Sequence, residues 1–248
     1  MQELTIYSAL NLSNGVKTKK LFKGKKIVLI SPHSDDISVS FGGTASLLAK
    51  TNKVIPVLFF TGFRGVKEKR DRAILIREKE MAKEAKILGL EKPVFLRLDS
   101  YNEDNLLVRE EDILKVERFL GQKNPDIIFL PKKDDLHPRH KLATIIASKA
   151  LEAPFLKKKI LFFYENPWSL FNPLEFNTIF ILSKKEIEKQ KKAIKAHVSQ
   201  LKRTSFEKAA ISLSIFRGAV TPEQRIFGYG KGNKDVKINY IEAFKVCE

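Results

Sequence analysis

The chain predicts an α/β fold: a Rossmann-like, mostly parallel sheet with helices on both faces, in a single domain. Three observations carry this. From residue 25 to about 165, short apolar runs bounded by turn residues alternate with segments of helical periodicity. The 248 residues hold 43% apolar and 30% charged residues, an ordinary globular balance with enough chain for one large core. No internal repeat, linker or low-complexity stretch divides the sequence.

The elements follow in order. Residues 1–24 are polar and basic, with Asn14-Gly15 inside them, and form an N-terminal lead-in; the domain spans 25–248. Residues 25–31 are a short apolar run, the pattern of a buried strand, and 42–50 a short helix. "KVIPVLFF" is a second strand, with Pro56 as a residue that counts against it. "TGFRG" is a loop. Between Lys69 and Leu88 the apolar residues Ile74, Leu75, Met81, Ala85 and Leu88 recur at helical spacing, and Gly89 stops the helix. "PVFLRL" is a third strand, "EEDILKVERFL" a helix closed by Gly121, and "PDIIFL" a fourth strand. "KLATIIASKALE" is a helix and "KILFFYE" a fifth strand. Beyond it the alternation loosens into "TIFIL" as a strand, an amphipathic helix over "KKEIEKQKKAIKAHVSQL", a helix near 205–217 and a closing strand "KINYIEAFKV".

Composition narrows the function classes. No apolar stretch reaches the roughly 18 residues of a membrane span, and the first 24 residues lack a signal-peptide core. One cysteine, Cys247, excludes an internal disulfide or a cysteine-based zinc site, which fits a cytoplasmic protein. The net charge of +17 raises the question of an anionic partner. The lysines are spread and many sit beside glutamates at helical spacing, so most read as solvated faces. Without an aromatic-basic motif, no specific nucleic-acid binding is expected.

The chemistry gathers at two strand ends. In open parallel sheets, sites form outside the carboxyl ends of the strands. After the first strand come His33, Asp35 and Asp36; after the fourth come Asp134, Asp135, His137 and His140. Three of the chain's four histidines therefore lie in two loops, and the fourth is His197. Histidine and carboxylate together suit zinc or another divalent ion, and a catalytic site needs about three protein ligands with one open position. The spacing H-x-x-D lets one turn present two ligands. Asp35 is then left beside the metal, placed to act as general base. Singly, either aspartate would read as a turn or helix-cap residue. The first loop has no G-x-G-x-x-G or P-loop pattern, and the chain has no G-x-S-x-G elbow.

The stretch "SPHSDDISVSFGGTASLL" resembles the (A/P)HPDDE signature of the LmbE/PIG-L family of zinc-dependent N-acetylglucosamine deacetylases. "PDIIFLPKKDDLHPRHKLA" resembles that family's second motif, an HPDH after a strand. "TGFRG", "REKEMAKEAKILGL", "LRLDS", "KQKKAIKAHVSQL" and "YIEAFKV" extend the likeness, in order, over about residues 25–246. The resemblance implies that His33, Asp36 and His140 hold zinc and that Asp35 is the general base. It implies that His137 protonates the leaving amine or stabilises the tetrahedral oxyanion. Arg64, Arg77 and Asp99 become candidates for substrate contacts, with a surface, ion-pair or turn-cap role as the alternative. The implied activity is hydrolysis of the N-acetyl amide of an N-acetylglucosamine-type amino sugar or glycoconjugate. The alternative is a non-catalytic sugar- or anion-binding protein that keeps the fold. Three positions depart from the family pattern: Ser34 for Pro, Ile37 for Glu, and Arg139 for the Asp of HPDH. Arg139 reflects an anionic substrate or simply faces solvent, and the basic charge leans towards a substrate carrying phosphate or carboxylate.

Overall fold

The computed structural model describes residues 6–8, 22–63, 65–102, 105–172, 175–220 and 240–247. Strand β1 (Ile6–Ser8) precedes β2 (Lys26–Ser31), helix α1 (Asp36–Leu48), β3 (Lys53–Leu58), α2 (Arg70–Leu88) and β4 (Val94–Phe95). A two-stranded ribbon, β5 (Tyr101–Asn102) and β6 (Asn105–Leu106), leads to α3 (Glu110–Lys123), β7 (Ile127–Pro131), α4 (Pro138–Ala150) and β8 (Ile160–Tyr164). The chain closes with β9 (Thr178–Leu182), α5 (Lys184–Lys195), α6 (Phe206–Val220) and β10 (Tyr240–Cys247). No helix among the described residues is long and apolar enough to cross a membrane.

The main sheet has the order β1-β9-β10-β8-β7-β2-β3-β4. Strands β4, β3, β2, β7 and β8 are mutually parallel; β10, β9 and β1 extend the sheet antiparallel. The expected α/β architecture is therefore present, and Ile6–Ser8 of the N-terminal lead-in supplies its edge strand. From β2 the chain winds outward to β3 and β4, then returns to lay β7 against the other side of β2. The direction of winding reverses between β2 and β7, which opens a crevice at their carboxyl ends.

Alternate residues of each strand point to opposite faces. Ile27 and Leu29 join a cluster with Phe41 of α1, Met81 of α2, Ile187 of α5 and Ile211 of α6. Val28 and Ile30 join the opposite cluster with Val116 of α3 and Ala143 of α4. Helices thus cover both faces, and the near-continuous apolar character of the central strands follows from that double burial. The first face is rich in phenylalanine: Phe41 stacks on Phe129 at 5.5 Å between centroids, and Phe129 on Phe162 at 4.8 Å.

Several element limits differ from the sequence expectation. Helix α1 starts at Asp36, six residues before the expected Gly42, and is kinked at Phe41. Its 13 residues are all buried, so it carries no polar face for periodicity to reveal. At Gly42 an added Cβ would meet Gln190 Cγ of α5 at 2.9 Å, and at Gly43 it would meet Leu182 Cδ1 of β9. The glycine pair therefore marks close packing inside a helix. Gly121 does not end α3, which runs on to Asn124 in the left-handed region (φ 44°). Of "PVFLRL" only Val94 and Phe95 form strand β4; beyond them the N–H groups of Leu96 and Leu98 still donate to the carbonyls of Leu58 and Phe59, and Arg97 takes a positive φ of 48°. Pro56 is tolerated because it shares a strand side with Val54 and Leu58, whose carbonyls face the β4 flank; there pairing begins only at Val57.

Candidate active site

The end of β2 is built as a tight turn. Ser31 Oγ donates to the carbonyl of His33, and the His33 backbone N–H donates to Asp36 Oδ2 at 2.6 Å. Asp36 opens α1, so its carboxylate also lies at a helix N-terminus. The end of β7 leads to His137, the N-cap of α4, whose Nδ1 accepts the N–H of Arg139 at 3.2 Å. One turn into α4, His140 points back across the crevice. Its Nδ1 lies 3.0 Å from Asp135 Oδ2, leaving Nε2 to face His33 and Asp36.

Three atoms converge there. His33 Nδ1 is 3.2 Å from His140 Nε2 and 3.4 Å from Asp36 Oδ1, and His140 Nε2 is 3.3 Å from Asp36 Oδ1. A tetrahedral ion with ligands at about 2.0–2.1 Å has ligand–ligand edges of roughly 3.3–3.4 Å, so this triangle has the size of one face of a zinc site. The three histidines also form a group, with candidate donor atoms within 4.8 Å of one another. Between the two triads the smaller triangle fits better. It includes a carboxylate, and His137 is the exposed member, with Nδ1 already accepting a backbone bond.

Electrostatics separates the groups. Burial works against ionisation of Asp36, but His140 and His33 outweigh it and hold its pKa well below the usual carboxylate range. His140 is opposed by burial yet pushed up to about 10 by Asp36 and Asp135. A metal must displace that proton to use Nε2. His137 moves the other way, down to about 4: although part of it is exposed, partial desolvation and then repulsion from His33 and His140 disfavour its charged form. It is neutral near pH 7, and with Nδ1 accepting from Arg139 it carries its proton on Nε2.

Asp35 belongs to a different network. Its Oδ1 accepts from Arg77 Nη2 at 2.8 Å, and Arg77 Nη1 lies 3.4 Å from Glu80 Oε2. Glu80 in turn accepts the N–H and hydroxyl of Ser199, both at 2.7 Å. Next to it, His197 Nε2 lies 2.6 Å from Glu84 Oε2. Burial opposes ionisation of Asp35, but Arg77 and His197 prevail and lower its pKa. Asp35 is therefore a carboxylate at neutral pH.

A cavity of about 430 Å³ lies over these groups, lined by His33, Asp35, Asp36, His137, Arg139, His140, Trp168, Gln200 and Arg203 among others. The structure brings His33, Asp35, Asp36, His137 and His140 together. Arg77 also borders the cavity, but it is buried and committed to Asp35, which places it behind the carboxylate. Asp99 is exposed and absent from the cavity lining; its N–H donates to Asp112. Arg64 lies outside the described residues. Arg139 is buried and lines the cavity, which excludes a solvent-facing place for it. Ile37 is fully buried in the core cluster below β2, so the missing acid is replaced by apolar packing.

Sequence reasoning gave no role to Asp135, Asn166 or Trp168. Asp135, fully buried, also accepts the N–H of His137 at 2.8 Å and the side-chain amide of Asn166 at 2.7 Å. Asn166 and Trp168 follow β8, and the strand-end rule that drew attention to the other two loops applies equally to "ENPW".

Known proteins resemble the chain in matching ways. A conserved protein from Thermus thermophilus is 23% identical with a TM-score of 0.69, over 89% of this chain and 94% of that one. The N,N'-diacetylchitobiose deacetylase of Pyrococcus horikoshii is 22% identical with a TM-score of 0.68, over 90% and 84%. The 4-carboxy-2-hydroxymuconate hydratase GalB of Pseudomonas putida is 18% identical with a TM-score of 0.70, over 90% and 95%. A deacetylase and a hydratase sharing one architecture show that the fold alone does not select the reaction. The family model for PIG-L, GlcNAc-PI de-N-acetylase, matches residues 28–151, half of the chain, and includes both strand-end loops. The chain belongs to the PIG-L family, and the matched residues take in His33–Asp36 and His137–His140.

Proposed function

We propose that the protein is a zinc-dependent N-deacetylase of an N-acetylglucosamine-type amino sugar or glycoconjugate. The observation that carries this is the triangle of His33, Asp36 and His140, with edges of 3.2–3.4 Å, beside the ionised Asp35. His33, Asp36 and His140 would hold the ion. When bound, zinc supplies a Lewis acid for the amide carbonyl and a lowered pKa for water.

The chain's own groups do the rest. Asp35, fixed by Arg77, takes a proton from the attacking water as its oxygen bonds to the carbonyl carbon. The π pair of the carbonyl moves to oxygen, and the neutral His137 donates Nε2–H to that oxyanion. This favours oxyanion stabilisation over proton donation as the role of His137. When the oxyanion collapses, the C–N bond breaks and the proton held by Asp35 passes to the leaving nitrogen. The products are acetate and a free amine. Glu80 and Ser199 keep Arg77 in place, and Asp135 fixes the His140 tautomer.

Acetate release from a panel of N-acetylated amino sugars tests the reading, with zinc-loaded and chelated protein side by side. Zinc-dependent acetate release supports it. Zinc-loaded protein inert towards every N-acetylated sugar, yet still binding them, would leave the non-catalytic alternative standing.

A further inference from the structure

One part of the cavity wall lies outside the catalytic groups. It is formed by the segment after β8, where Trp168, the chain's one tryptophan, borders the cavity while remaining 49% exposed. Its indole meets the edge of Phe206, at 5.4 Å and an interplanar angle of 74°. Tryptophan is usually largely buried, so a half-exposed one turned to a catalytic cavity marks a ligand surface. Leu136, 75% exposed, borders the same cavity. Phe206 and Thr204 also line a second cavity of about 450 Å³.

This wall is held rigidly. Glu165 accepts from Arg217 Nε at 2.8 Å and from the Phe171 N–H at 2.6 Å, which closes the base of the loop. At its tip, Ser169 N–H donates to the carbonyl of Asn166 at 3.0 Å, and Ser169 Oγ accepts from Leu136 N–H at 3.1 Å. Asn166 is buried and joins two functions. Its Oδ1 accepts the Trp168 N–H at 2.9 Å, and its Nδ2 donates to Asp135, the partner of His140. The backbone that carries the indole is thus tied to the metal-ligand cluster, and a ligand stacking there loses little energy to loop ordering.

We propose that Trp168 is a specificity-determining residue: its indole face receives a second pyranose ring joined to the N-acetylated one. This rests on the deacetylase reading and narrows it to a di- or oligosaccharide. The axial C–H groups of a pyranose make an apolar face that matches an indole, while its hydroxyls project to the rim. Arg203 borders the same cavity and offers donors for them, its Nη1 held by Gln200 Oε1 at 2.8 Å. A monosaccharide seated with its amide at His33 and His140 does not need this platform; a linked second ring does.

The single tryptophan makes the test direct. In the Asp35→Asn protein, N,N'-diacetylchitobiose is expected to change Trp fluorescence saturably, and N-acetylglucosamine at equal concentration to change it far less. In active protein, Trp168→Ala is expected to lower kcat/KM for the disaccharide by about tenfold more than for the monosaccharide, through KM rather than kcat. Trp168→Phe restores much of the difference and serves as the control for folding. An unchanged disaccharide preference in Trp168→Ala, with acetate still released, overturns the platform and leaves the deacetylase reading intact. A selective fluorescence response without acetate release from either sugar supports the platform and overturns the deacetylase reading. No saturable response to the disaccharide overturns the platform.

Discussion

Asp35 and Asp36 are adjacent in the chain and separated in function by their partners. Asp36 faces two imidazoles, and Asp35 faces a guanidinium delivered from α2, 42 positions away. The histidines and acids of the site were legible in the sequence because "HSDD" and "HPRH" fall at strand ends. The Arg77 partnership was not, because spacing within a helix does not reveal what lies across the crevice. Removing Arg77 leaves Asp35 and Glu80 buried without their cation. Arg77→Ala should therefore cost about 3–5 kcal/mol in denaturant unfolding, as breaking a buried pair does. In the zinc reading, Asp135 would act one step back from the metal, through His140. Asp135→Ala frees the His140 ring to rotate or change tautomer, and zinc affinity measured by chelator competition should fall about 10–100-fold. Ile37 is a different case. Its departure from the family acid is a core substitution 0% exposed, and the triangle beside it keeps its size.

Helix α1 shows why element limits were less legible than element order. The central strands show as continuous apolar runs because both their faces are buried, and most helices lie where periodicity put them because each has one face on the core and one towards solvent. In α1 every residue is buried, and the kink at Phe41 divides it. The second half begins at the glycine pair, where Glu242 of β10 accepts the N–H of Gly43 at 3.2 Å and of Thr44 at 2.7 Å. Gly43→Ala places a Cβ against Leu182 and Glu242, and should destabilise by about 1–3 kcal/mol, as overpacking does. Glu242 itself has its pKa pushed up to about 7 by burial. An unfolded chain loses that proton near pH 4.5, whereas the fold keeps it to about pH 7. The stability this gives is fully present below pH 4.5 and is lost as pH rises through 7, about 3 kcal/mol in all. Glu242→Gln should remove that slope from the pH profile of thermal unfolding, measured against the parent protein.

At the scale of the molecule, the sheet order explains why two distant loops meet. β2 and β7 are neighbours because the chain reverses its winding between them, and both carry their motifs at the carboxyl end. The sequence predicted the alternation but not which strands adjoin; only the chemistry of the loops hinted that these two do. The third loop, after β8, enters the same crevice because β8 pairs with β7. The ion that the cluster would hold ties this arrangement together. Zinc at about 100 times its dissociation constant should stabilise the fold by roughly 2.7 kcal/mol, visible as a rise in Tm that a chelator reverses. The central claim is the division of labour between the two aspartates, and zinc content measured with acetate release in Asp35→Asn tests it most directly. The account predicts protein that binds zinc as the parent does, to about one ion per chain, and releases almost no acetate. Near-parental acetate release from Asp35→Asn, or loss of its zinc with turnover, would contradict it.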